Sequence, residues 1–110
     1  AMGRDAAHAH VLLDLAKTRK WNEVKDFVKN HPWLINAQPC GRYSVLHQAS
    51  EAGNVALVSF LLEQRADVNA KTSAGQLSSD LTKDPEVRAL LHKSHAEVAT
   101  RQSLEHFFWI

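Results

Sequence analysis

Seven histidines in 110 residues are the first candidates for chemistry. Imidazole binds metals and moves protons near neutral pH. A structural zinc site, however, needs four nitrogen or sulfur ligands at short, paired spacings. His8 and His10 stand two apart, on different faces of a helix, whereas His92 and His95 stand three apart and share one. Neither pair has a third and fourth ligand at a zinc spacing, and Cys40 is the only cysteine. A reactive thiolate requires a lowered pKa; Arg42 would favour one at Cys40, but a passive cysteine in the loop "QPCGRY" is the better reading. Asp80 and Asp84 are placed like paired carboxylates, yet Asp84-Pro85 reads as a helix start. The four glycines are scattered, so no phosphate-cradling loop and no nucleophile elbow is present. The residue types thus point to no enzyme, no catalytic residues, no metal and no cofactor.

What these residues sit on is more informative. The length suits one domain with one core. A chain 45% hydrophobic and 23% charged has the balance of a soluble globular protein. Its net charge of +1 argues against a nucleic-acid or membrane-surface partner, because such binders concentrate basic charge. A lone cysteine cannot form an internal disulfide, which fits a reducing compartment and a cytoplasmic location. No stretch approaches the roughly 20 apolar residues of a membrane span. The start, "AMGRDAAHAH", lacks an apolar signal core. Ala1, Met2 and Gly3 read as a cloning remnant, and residues 1–7 as a tail.

The chain repeats itself. Asn36 in "LINA" and Asn69 in "DVNA" lie 33 residues apart, as do Leu13 and Leu46, Ala16 and Ala49, and Arg42 and Gly75. Val24, Phe27 and Val28 return as Val58, Leu61 and Leu62 at an offset of 34, then as Val87, Leu90 and Leu91 at a further 29. The last unit has therefore lost about one helical turn, assigned to its first helix. Each unit reads helix, turn, helix, outward loop. In the best-preserved one, Ser44 caps a helix that buries Leu46 and Ala49, and Gly53 supplies the left-handed turn that ends it. A second helix from about Asn54 to Gln64 turns Val55, Val58, Leu61 and Leu62 inward. Such a unit cannot close a core alone, and stacked neighbours bury a shared one.

The stretch "SVLHQASEAGNVALVSFLLEQRADVNA" resembles an ankyrin repeat. Leu46, His47, Ala49, Gly53, Val58, Leu61, Leu62, Ala66, Asp67, Val68 and Asn69 match that pattern, while Ser44 and Val45 replace its Thr-Pro pair, Ser50 its second Ala and Arg65 its Gly. The flanking units are weaker. The resemblance implies an all-α fold, an ankyrin-repeat solenoid of about three stacked helix-turn-helix units with a C-terminal capping helix. The expected units are 8–40, 41–73 and 74–95, with a capping helix over 96–110. Val98, Leu104 and Phe107 or Phe108 are expected to fold back over the shortened third unit, with Trp109 exposed. His47 is expected to hold backbone of the adjoining turn rather than to act in catalysis. Trp21 is expected between units, and Trp33 over the core.

The resemblance also implies a module that binds another protein, as a monomer, through its concave face of loop tips and first helices. Mapped onto this sequence, that face carries Arg19, Arg42, Tyr43, Glu51, Ser73 and Gln76 as candidate contacts, with Arg42 and Tyr43 the richest pair. Lys25 falls on the opposite, convex side. The alternatives are an inhibitor or immunity-type protein that occludes an enzyme, and a structural fragment of a longer multidomain protein.

Overall fold

The computed structural model describes residues 2–94, with side chains from residue 6 onward. Six helices follow in order: α1 (Met2–Lys17), α2 (Trp21–Asn30), α3 (Val45–Ala52), α4 (Val55–Glu63), α5 (Ser78–Leu81) and α6 (residues 85–94). They form three helix-turn-helix pairs, and the described residues contain no strand. The first helix begins at Met2, so it takes in most of the residues expected as a tail. The expected capping helix with Val98, Leu104, Phe107, Phe108 and Trp109 lies outside the described residues, as does His95.

The middle pair shows why the sequence folds this way. The Ser44 hydroxyl accepts from the His47 N–H at 3.3 Å, and the His47 Nδ1 accepts from the Ser44 N–H at 2.9 Å. Two donors that the helix leaves unpaired are satisfied reciprocally. Gly53 ends α3 with φ of 71°, and Asn54 then caps α4, its side-chain oxygen accepting from the Leu57 N–H at 3.1 Å. Leu46, Ala49, Val58 and Leu61 are buried as expected, together with Leu57. Val55 and Leu62 are only half-buried, because the buried arc of α4 centres on residues 57, 58 and 61 and leaves these two at its edges.

The shortened third unit has lost its turn from the first helix, since α5 is a single turn. Asp84 starts α6: its Oδ1 accepts from the N–H groups of Glu86 at 2.8 Å and Val87 at 3.3 Å, with Pro85 in the first turn, where it forfeits no hydrogen bond.

One buried cluster runs through all three pairs, from Leu12, Leu13, Val24 and Val28 through Leu46, Leu57 and Leu61 to Val87 and Leu91. Trp21 is half-buried against it. The loops are tied at positions 29 to 33 residues apart. Asn36 accepts from the Asp67 N–H at 2.7 Å and donates to the Arg65 carbonyl at 3.4 Å. Gln38 donates to the Lys71 carbonyl at 2.8 Å, and the Ser73 hydroxyl donates to the Gly41 carbonyl at 3.3 Å. The sequence period thus places equivalent loop positions side by side.

Trp33 does not cover the core; it is 62% exposed. Pro32 opens a tight 3₁₀ turn, Pro32–Leu34, which directs Leu34 and then Ile35 inward and leaves Trp33 outside, edge-on to His31.

Candidate functional site

Tight turns between packed helices bring the side chains of successive first helices together. A hollow of about 300 Å³ is lined by Lys17 at the end of α1, by Arg19 in the turn after it, by Trp21, and by Tyr43, Gln48 and Glu51 from the second unit. Three of the six expected contact residues, Arg19, Tyr43 and Glu51, therefore meet on one surface. Beside it, a second hollow of about 480 Å³ is lined by Arg19, Lys20, Trp21, Lys25 and Asn54 among others. Arg19 and Trp21 belong to both.

The other three expected contacts stand apart from the hollows. Arg42 is folded over α1, where it donates to the Asp14 carboxylate at 2.9 Å and to the His10 Nδ1 at 3.0 Å. Its side chain is 25% exposed, so it pins the loop to the first helix instead of projecting freely. Ser73 is exposed but tied to Gly41. Gln76 closes its own loop: its carbonyl accepts from the Thr72 N–H at 2.9 Å, and its N–H donates to the Thr72 hydroxyl at 3.1 Å. Tyr43 is half-buried and meets the His47 ring edge-on, with centroids 5.7 Å apart.

Lys25 is not a free convex residue. Its Nζ and that of Lys29 each lie 5.9 Å from the Phe60 ring centroid, so both cations flank one aromatic face of α4. Lys17, Lys20 and Trp21 line the hollows and are not among the contact residues expected from the sequence. Trp21 is expected to pack between units. Its half-buried ring touches both core and hollow. A helical period locates the inward face but is silent on which gaps between units stay open.

His47 lies beneath this face and has no exposed surface. Its Nδ1 accepts from the Ser44 N–H, so Nε2 carries the proton and donates to the Ala70 carbonyl at 2.9 Å. Burial pushes its pKa below the ordinary 6.5, against the opposing pull of the Ala70 carbonyl and the Asp67 charge. The ring joins the start of α3 to the loop after α4, the structural role expected from the sequence.

Among the described residues no three metal-ligating side chains come together. No described helix is long and apolar enough to cross a membrane. A search of curated proteins finds no match to the chain. Residues 42–73, which span the capped α3, the Gly53 turn, α4 and the loop after it, match the family model described as Ankyrin repeat.

Proposed function

We propose that this chain binds another protein through the face built by α1, α3 and their connecting turns, as a monomer and without chemistry of its own. Ankyrin repeats are in general non-catalytic protein-binding modules, which supports the broad reading. The observation that carries the finer one is the meeting of Arg19, Tyr43 and Glu51 on one hollow. Tyr and Arg supply large contact area and directed hydrogen bonds, the mix enriched among interface hot spots. Arg42, Ser73 and Gln76 form the loop-side flank of the same proposed face, Arg42 chiefly by fixing the loop that carries Tyr43. Units over 8–40, 41–73 and 74–95 stack to make that face, and a cytoplasmic setting suits a free thiol at exposed Cys40.

The test is capture of a partner from the source lysate, followed by titration of variants. Glu51 is exposed and makes no hydrogen bond among the described residues, so Glu51→Ala should leave stability within about 0.5 kcal/mol. Its affinity should fall by about 1–2 kcal/mol if it is a hot spot. Tyr43→Ala should weaken binding further while costing about 0.5–1.5 kcal/mol of stability, because its edge contact with His47 is lost. Arg42→Ala should cost on the order of 1 kcal/mol, because its half-buried guanidinium loses its bonds to Asp14 and His10. Lys83→Ala, exposed between α5 and α6, is the control. Full affinity in the Tyr43→Ala, Glu51→Ala double variant, with loss in Lys83→Ala, would remove this face from consideration.

A further inference from the structure

Resting on the reading of this face as a protein-binding surface, we infer that its partner presents an acidic segment, laid across the ridge that Arg19 and Trp21 form between the two hollows. The two hollows together are lined by four cationic side chains, Lys17, Arg19, Lys20 and Lys25, against two carboxylates, Glu23 and Glu51. The whole chain carries a net charge of only +1, so this excess is local. Among the described residues the ion pair is Arg42–Asp14, which involves none of the four. Lys17, Arg19 and Lys20 are exposed, and none of them is held in an ion pair among the described residues.

The turn that presents them departs from the stable choice made one unit later. In the second unit the turn is Gly53, at φ of 71°, followed by Asn54, which caps the next helix with its side chain. In the first unit the same two places hold Arg19, at φ of 61°, and Lys20, whose side chain makes no cap. A left-handed arginine carries backbone strain that glycine would not, and a helix start without a side-chain cap leaves an N–H donor without that partner. Two cations thus stand where glycine and a capping residue would be more stable, and among the described residues neither side chain makes a hydrogen bond or an ion pair. Departures of this kind concentrate at functional surfaces.

The chemistry of the lining selects the occupant. Arginine and lysine take carboxylates through charge-assisted hydrogen bonds. Trp21 offers apolar area between the cations, on which an apolar side chain of the same segment can rest. Glu23 and Glu51 repel a uniform polyanion such as a nucleic-acid backbone, whereas a peptide supplies N–H donors that they accept. An acidic peptide satisfies all three.

The probe is a synthetic acidic peptide, glutamates flanking one leucine, labelled at its N-terminus and titrated with the full chain at low ionic strength. Saturable binding is expected, with movement of the Trp21 indole resonance and weakening as salt is raised. Reversing both cations, Arg19→Glu with Lys20→Glu, should weaken binding by about tenfold or more, while Lys83→Glu leaves it unchanged. Arg19→Gly is the second variant, because it relieves the left-handed strain; its thermal midpoint should rise while affinity falls several-fold. The proposal is overturned if Lys83→Glu weakens binding as much as the double reversal. It is overturned equally if the matching peptide with lysines for glutamates binds as tightly, or if inorganic polyphosphate competes as well as the acidic peptide. If the acidic peptide fails while a captured partner still loses affinity on Glu51→Ala, the acidic chemistry falls and the protein-binding reading stands. If the captured partner is also insensitive to Glu51→Ala and Tyr43→Ala, both fall.

Discussion

The His47 ring is held at both nitrogens, one by the Ser44 N–H and the other by the Ala70 carbonyl, each at 2.9 Å. Protonating Nδ1 would turn an acceptor into a donor facing an N–H, and would bury a charge. The folded chain therefore resists protonation, and the pKa lies below 6.5 through burial. Below pH 6.5 the unfolded chain binds more protons at this site than the folded one. The contribution of His47 to stability is then complete above pH 6.5 and declines as pH falls through the lowered folded value. Urea unfolding of the parent chain between about pH 7.5 and 5 should show this loss. His47→Gln should be less stable at neutral pH, yet lose less on acidification. Equal slopes for the two proteins would assign the acid sensitivity to other groups. Leu46 beside it is as fully buried but carries no such dependence, which separates packing from titration at this junction.

At the scale of the element, the left-handed positions decide how helices end. Gly53 sits at φ of 71°, and a Cβ there would meet Asp84 at an ordinary 3.7 Å. The penalty of substitution is therefore conformational, not a clash. Gly53→Val should cost roughly 1–2 kcal/mol, because a β-branched residue is a true outlier in that region. Arg65 presents the opposite case. It holds φ of 70° at the place where the ankyrin pattern has glycine. Arg65→Gly should stabilise by about 0.5–1 kcal/mol, the left-handed strain removed less the added freedom of the unfolded chain. Denaturant midpoints should move in opposite directions with unchanged slopes. A loss of stability in Arg65→Gly would show that the side chain contributes more than its backbone costs.

For the whole molecule, the three helix pairs share one buried cluster, and loop positions about one period apart are hydrogen-bonded together. Leu61 has no exposed surface in the middle of that cluster. Leu61→Ala should cost about 2–5 kcal/mol, the range for a buried leucine. A chain of this length has a total stability on the order of 5–15 kcal/mol, so the loss reaches far beyond one unit. Circular dichroism should show the whole helical signal melting earlier in one transition. A split transition, with α1 and α2 surviving, would mean that the units are coupled more weakly than the continuous core implies.

The repeat was legible in the sequence because its causes are local. Ser44, Gly53 and the Asp84-Pro85 pair each act on backbone within a few residues, and the inward positions recur at a helical period. The 33-residue spacing of Asn36 and Asn69 foretold neighbouring loops for the same reason, since equivalent positions of stacked units fall side by side. What the tertiary structure decided were contacts between residues distant along the chain. Arg42 looked free until α1 brought Asp14 and His10 within reach, and Trp33 looked like core until the 3₁₀ turn faced it outward. The sequence places Lys25 on the convex side, and only the packing of α4 shows its Nζ over the Phe60 ring. The hollows themselves are gaps left between packed helices. Their existence depends on side-chain volumes meeting across units, which no periodicity along one chain segment encodes.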